Sequence, residues 1–273
     1  MRLGSIIAYD DLTEGIAFTK AAGLETLQLR VKDCLQRTED ELNAVREALC
    51  DFRAESISAG WPGPAVWDFR NGPQTLGVVP VEYRDIRILS LKKSIDWAAE
   101  LDIPLVQTHF GFIPENPVDP EYGVCVNILR ELGSYAEKKN VRFLLETGQE
   151  TPATLRRALD DAASPALGVN LDPANLIMYN KGEPLSAVEI LKPYIVSLHI
   201  KDGVLPHDDM YQLGEETPVG FGMVPFTALF RKLRSVGFDG PMFIEREIPL
   251  PKQRDDILKS IPLLREWLRE SRI

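Results

Sequence analysis

Strand-length apolar runs and helical segments alternate along this chain, and that alternation leaves few architectures open. It is plainest after residue 140. The runs 141–146, 167–172, 194–199 and 242–245 are short and rich in residues that favour a buried strand. Helical spacing over 151–162, 184–191 and 225–236 separates them, and 255–270 closes the chain with Ile257, Ile261, Leu264, Trp267 and Leu268 on one face. Upstream, 3–9, 26–30, 55–60 and 104–109 read as strands, and 11–22, 38–52, 81–101 and 119–139 as helices. Thr38 with Glu41 three residues on is a capping-box pattern, and Gly23 stands where a helix C-cap belongs. Eight strands, each followed by a helix, require a parallel sheet with right-handed crossovers. Eight repeats within 273 residues fit an α/β fold of the (β/α)8 TIM-barrel type, as a single domain over 1–273. The segment 61–80 is too long for a plain connection and reads as a functional loop or lid, and 201–223 is a second long loop.

The residues also exclude several functions. No GxGxxG follows the first strand and no GxxxxGK[ST] occurs, so dinucleotide and P-loop sites lose their support. A net charge of −10 argues against nucleic acid as a partner. No apolar run approaches membrane-spanning length, and the first residues lack a signal-peptide pattern, so the expectation is a cytoplasmic protein with no membrane partner. Cys34, Cys50 and Cys125 lie far apart without CxxC spacing and read as reduced thiols. A homo-oligomer is compatible with all of this.

Four of the runs end in Glu146, Asp172, His199 and Glu245, each able to ligate a divalent cation. Alternate strand residues face into a barrel. With these four inward, the opposite set is Leu145, Val169, Leu171, Leu198, Ile200 and Ile244, apolar as contact with a helical layer requires. Catalytic groups of such barrels sit at the carboxyl ends of the strands. Three carboxylates and one His that converge there repel one another, and a cation removes the conflict. The donor set is dominated by oxygen with one imidazole. It suits one divalent metal ion, Mn²⁺ first, with Mg²⁺, Co²⁺ or Zn²⁺ as alternatives.

The motifs Leu145-Glu146-Thr147-Gly148-Gln149-Glu150, Asn170-Leu171-Asp172-Pro173-Ala174-Asn175-Leu176, His199-Ile200-Lys201-Asp202-Gly203 and Ile244-Glu245-Arg246-Glu247 occur in an order and spacing that resembles the xylose-isomerase-like barrels, the sugar and sugar-phosphate isomerases and epimerases. The resemblance covers essentially the whole chain. It implies Glu146, Asp172, His199 and Glu245 as metal ligands and Glu146 with Glu245 as the acid/base pair. The implied reaction is proton transfer through a metal-bound enediolate. Epimerase and isomerase outcomes use the same residues. A lyase outcome, dehydration of a keto-polyol of inosose or dehydroshikimate type, is the alternative on the same site. The apurinic endonuclease branch needs many His ligands, and three His with an acidic chain argue against it. Several epimerases of this superfamily carry a His three residues after the Asp ligand, where this chain has Asn175.

The expected partner is a small sugar or polyol, with His109, Lys201, Asn175 and Trp61 as substrate-binding candidates. Trp67 and Phe69 share the loop of Trp61 and could wall a sugar ring. Gly220-Phe221-Gly222 reads as a tight turn or, less well, as a phosphate cradle. Gln28 and Arg30 fit either the barrel mouth or polar pairing inside the barrel. Arg246 has outward parity and reads as structural, and His207 as solvated.

Overall fold

The structure, a computed structural model, describes residues 1–207 and 211–272. In chain order the elements are β1 (Arg2–Ala8), α1 (Leu12–Ala21), β2 (Thr26–Val31), α2 (Glu39–Ala48), β3 (Ala54–Ala59), α3 (Gly72–Thr75), α4 (Arg84–Glu100), β4 (Leu105–Thr108), α5 (Pro120–Lys138), β5 (Arg142–Glu146) and α6 (Pro152–Ala162). They continue with β6 (Leu167–Leu171), α7 (Pro173–Met178), α8 (Pro184–Leu191), β7 (Ile195–Ile200), β8 (Asp202–Gly203), β9 (Glu216–Thr217), α9 (Phe226–Ser235), β10 (Pro241–Ile244) and α10 (Lys252–Glu270). Eight strands close a parallel barrel in the order β1-β10-β7-β6-β5-β4-β3-β2, and β8 with β9 forms a small antiparallel hairpin above it.

Local chemistry explains the helix starts. Thr38 and Glu41 form the expected capping box on α2. Asp119 and Thr151 cap α5 and α6, each followed by a Pro whose missing N–H costs nothing at the first helical position. The predicted helix over 81–101 begins at Arg84, because residues 81–83 form a turn.

The alternation divides the barrel into two chemistries. Leu29, Ile57, Val106, Leu145, Val169, Leu198 and Ile200 are fully buried toward the helices. Each contributes roughly 1.5–3 kcal/mol by leaving water. The inward set mixes Leu144 and Phe243 with polar pairs: Gln28 donates to Ser56 Oγ at 2.9 Å, Gln107 to Ser58 Oγ at 2.7 Å, and Ser197 to Asn170 Oδ1 at 2.6 Å. This inner layer lies beneath the strand ends that carry the site.

Three features went unread in the sequence. The short helix α3 lies within the first long loop, α7 starts directly after Asp172, and the hairpin β8–β9 folds within the second long loop. The first long loop lies against the end of β4 through Gly77. Its φ is +67°, and a Cβ there would stand 1.9 Å from Phe110 O, so only glycine fits.

Candidate functional site

Glu146 is the last residue of β5, His199 lies within β7, and Asp172 and Glu245 directly follow β6 and β10. The strand register explains their convergence: Asn170 pairs Ser197 and Leu171 pairs Leu198, which carries Asp172 beside His199. Asp172 also caps α7 by accepting the Asn175 N–H at 2.9 Å, a role set by Pro173 at the first helical position. One potential ligand atom from each of the four residues lies within 4.8 Å of the others, and all four side chains are buried.

His199 Nδ1 faces the carboxylates, 3.1 Å from Glu146 Oε1, 3.1 Å from Glu245 Oε2 and 3.8 Å from Asp172 Oδ2. Its Nε2 lies 2.9 Å from Gln28 Oε1. The Gln28 amide NH₂ is already turned to Ser56, so Gln28 offers its oxygen and assigns the ring proton to Nε2. Nδ1 can then present its lone pair to a cation. Burial opposes a charge on His199, but Glu146 and Glu245 outweigh it and hold the imidazole pKa well up, so in the metal-free site the imidazolium stands in for the cation. Burial pushes the Asp172 carboxyl up, and Asp172 Oδ2 is buried without a hydrogen-bond partner. A buried carboxylate oxygen with no donor, beside two more carboxylates and an oriented imidazole, fits a divalent cation.

The two Glu side chains have unlike neighbours. Glu245 receives Arg30 Nη2 at 2.6 Å on one oxygen and Lys201 Nζ at 3.3 Å on the other. Lys201 also pairs with Glu247 at 2.6 Å. Glu146 instead meets His109 Nε2 at 3.3 Å and the Asn175 amide at 3.1 Å. The other ring nitrogen of His109, Nδ1, lies 3.2 Å from Gln149 Oε1. Burial works against the charge of Glu245, and Lys201, His199 and Arg30 overcome it, holding its pKa well below the usual range.

Above the quartet opens a cavity of about 610 Å³ walled by Trp61, Trp67, Met178, Tyr179 and Leu213. Trp67 meets His109 edge-on, with ring centroids 4.8 Å apart. Arg87 of α4 holds this wall from below. Its guanidinium donates to the carbonyls of Pro62, Pro64, Thr75 and Gly77 and lies over the rings of Trp61 and Tyr83.

The structure thus brings His109, Lys201, Asn175 and Trp61 to one cavity with Glu146 and Glu245 of the quartet. Gln28 and Arg30 both belong to the site, Gln28 on His199 and Arg30 on Glu245. Arg246 points away and pairs with Asp256 and Glu216. His207 is exposed. The Gly220-Phe221-Gly222 turn is a cradle, and it is filled from within: the N–H groups of Gly203, Gly220, Gly222 and Val224 all donate to the Asp202 carboxylate. Three site residues escaped sequence reading: Gln149, Glu247 and Tyr179. Tyr179 follows Asn175 by four residues, a helical spacing that would have revealed it had α7 been recognised.

Comparison with known proteins bears on the fold. Residues 16–269 match the family model described as xylose isomerase-like TIM barrel. The crystal structure of a xylose isomerase domain protein from Planctomyces limnophilus superposes with a TM-score of 0.91 at 29% identity, over 98% of both chains. A D-tagatose 3-epimerase-like protein superposes with a TM-score of 0.77 at 20% identity, over 100% of this chain and 98% of its own. Among curated relatives, an uncharacterised protein of Methanocaldococcus jannaschii is 28% identical over 68% of this chain, a match that spans 63% of that protein's length. The 3-oxo-isoapionate decarboxylase of Pectobacterium atrosepticum is 25% identical over 82% of this chain and 79% of its own.

Proposed function

The chain belongs to the xylose isomerase-like TIM barrel family, and from that premise we propose that it is a divalent-metal-dependent isomerase or epimerase of a sugar. One observation carries the reading. Four buried ligand-type side chains, with Asp172 Oδ2 unpaired among them, lie beneath an aromatic-walled cavity of sugar size. Glu146, Asp172, His199 and Glu245 would hold the cation, Mn²⁺ first and Mg²⁺, Co²⁺ or Zn²⁺ next. A cation there supplies Lewis acidity that polarises a substrate carbonyl and acidifies the neighbouring C–H.

The chain's own residues then divide the work. One of the two carboxylates, Glu146 or Glu245, removes the proton from the carbon beside the carbonyl and leaves an enediolate. Return of a proton to the same carbon from the other carboxylate gives an epimer, and return to the adjacent carbon gives the aldose–ketose isomer. Arg30 and Lys201 fix Glu245 in place, while His109 and Asn175 fix Glu146. Trp61 and Trp67 shield the sugar from water. Arg30 and Lys201 are committed to carboxylates, and the Gly220–Gly222 cradle holds Asp202. Both facts favour an uncharged sugar over a sugar phosphate.

A lyase is the second reading, favoured by the decarboxylase relative and by Lys32, a cavity-lining cation with no ion pair among the described residues. The same enediolate can expel a β-hydroxyl, or can arise by loss of CO₂ from a β-keto acid. The Mn²⁺-loaded enzyme in D₂O, with D-tagatose, D-fructose, D-psicose and their phosphates, tests both by NMR. Deuterium beside the carbonyl with an epimer or isomer formed is the expected result. Loss of water from a ketose without an epimer, or release of CO₂ from an added β-keto sugar acid, moves the assignment to the lyase. No exchange with any ketose under Mn²⁺, Mg²⁺, Co²⁺ or Zn²⁺ would sink the isomerase reading.

A further inference from the structure

Glu247 stands at the mouth of the cavity and shares a cation with the quartet below it. It follows Glu245 by two positions, and both residues line the cavity. Its backbone is fixed. The Glu247 N–H donates to both oxygens of Glu216, at 3.1 and 3.0 Å, and Glu216 is itself paired with Arg246 at 3.2 Å. The Glu247 side chain is half-exposed, but the group it meets is not. Lys201 is 3% exposed, and its Nζ donates to Glu247 Oε2 at 2.6 Å. The same ammonium lies 3.3 Å from Glu245 Oε2 and 4.0 Å from Asp172 Oδ2. Arg30 Nη2 lies 3.9 Å from the other Glu247 oxygen, so that carboxylate is flanked by cations. Lys201 thus has three carboxylates in reach, two of them in the quartet, and is closest to the one outside it. Its position leaves Asp172 Oδ2 with His199 Nδ1 at 3.8 Å and Lys201 Nζ at 4.0 Å, both beyond hydrogen-bond length.

We propose that Glu247 is a positioning residue for the metal centre: it draws the Lys201 ammonium away from Asp172 and so keeps the quartet open to a divalent cation. The proposal rests on the metal-site reading above. A buried ammonium has to keep carboxylate partners, because burying it unpaired costs far more than the contacts around it return. It also carries three N–H donors to place. Without Glu247 the carboxylates that remain within 4.0 Å are Glu245 and Asp172. A shift of Nζ by about 1 Å would then close the gap to Asp172 Oδ2. The chain's own cation would neutralise the carboxylates that a divalent ion needs, and the ion would have to displace it. Glu247 offers Lys201 a partner at the wet edge of the site instead, which leaves the negative charge of Asp172 unspent.

The test is a double-mutant cycle read as metal affinity. Wild type, Glu247→Gln, Lys201→Gln and the double variant, each full-length and stripped of metal, are titrated with Mn²⁺ against a fluorescent chelator, with circular dichroism as the check on folding. Glu247→Gln keeps the shape of the side chain and should weaken Mn²⁺ binding about tenfold. Lys201→Gln removes the competing charge and should bind Mn²⁺ at least as tightly as wild type. Adding Glu247→Gln to it should then change the affinity by less than about twofold. An equal loss in both backgrounds means that Glu247 acts on the cation through its own charge, and it overturns the proposal. Unchanged affinity in Glu247→Gln overturns it as well, while leaving the metal site intact. If Lys201→Gln does not fold, Lys201→Met closes the cycle. A wild type that binds none of Mn²⁺, Mg²⁺, Co²⁺ or Zn²⁺ fails the metal-site reading and this proposal together.

Discussion

Gln28→Leu is the sharpest probe of the metal centre, because Gln28 touches no proposed ligand except His199. Gln28 is fully buried, accepts His199 Nε2–H at 2.9 Å and donates to Ser56 at 2.9 Å. Leucine of similar volume keeps the interior filled and removes both bonds. The loss falls mainly on the metal-bound state. There His199 must keep its proton on Nε2 and its lone pair on Nδ1, so a buried N–H is left without an acceptor, at roughly 1–3 kcal/mol. In the metal-free state the ring can give up its Nε2 proton and still donate from Nδ1 to Glu146 and Glu245, an option that a cation on Nδ1 removes. The difference corresponds to a metal affinity weakened about 10- to 100-fold, the usual effect of removing such a supporting partner. Competition titration of Mn²⁺ against a fluorescent chelator measures it directly, with circular dichroism as the check on folding. A folded variant whose Mn²⁺ affinity stays within about twofold of wild type would refute the tautomer assignment and the orienting role of Gln28.

Two further outcomes follow from buried charges outside the quartet. Arg87→Met should leave the carbonyls of Pro62, Pro64, Thr75 and Gly77 unpaired and cost about 3 kcal/mol, or ~6–10 °C in melting temperature. Proteolysis should then fall within 61–80, and an unchanged melting temperature with an intact loop would contradict the role given to Arg87. Burial raises the Glu150 pKa to about 8, so the folded chain holds a proton there that the unfolded chain has released above about 4.5. That contribution to stability is complete below pH 4.5 and lost as pH rises to 8, at up to about 1.4 kcal/mol per pH unit. Glu150→Gln should therefore gain stability relative to wild type from pH 5 to pH 8, and parallel melting curves across that range would exclude a protonated Glu150.

The barrel was legible because its signal is periodic. Each buried strand must be apolar on its helix side, and four inward polar ends in phase are hard to place in another fold. Residues fixed by that period, Glu146, Asp172, His199 and Glu245, were found from sequence together with their convergence. Residues whose role depends on distance across the barrel were not. Gln28 and His199 are separated by 171 positions, and only closure of the sheet brings them to 2.9 Å. The helix α7 was missed because its first residue is a proline directly after Asp172, which reads as a break when its capping role is overlooked. Tyr179 and Asn175 were lost or left ambiguous with it. The Gly220–Gly222 turn was ambiguous for a different reason. A glycine turn advertises free N–H groups, but not which anion takes them, and Asp202 is 18 positions away from the first.

The distribution of charge explains why the site has the form it does. The described residues place Arg30 and Lys201 on Glu245 and Glu247, and they leave Asp172 with a backbone N–H on one oxygen and no donor on the other. Had stability alone governed the arrangement, the buried Asp172 would be the carboxylate most in need of a cation from the chain. Lys201 Nζ lies 4.0 Å from it but makes its close contacts with Glu245 and Glu247. The chain's fixed cations thus hold Glu245 in position, and the unbalanced charge is concentrated between Asp172, Glu146 and His199 Nδ1. Such a concentration is costly in an empty barrel and favourable around a divalent ion. Of the cations that line the cavity, this arrangement consumes Arg30 and Lys201 and leaves Lys32 without an ion pair among the described residues, so an anionic group on a substrate would have to be met by Lys32.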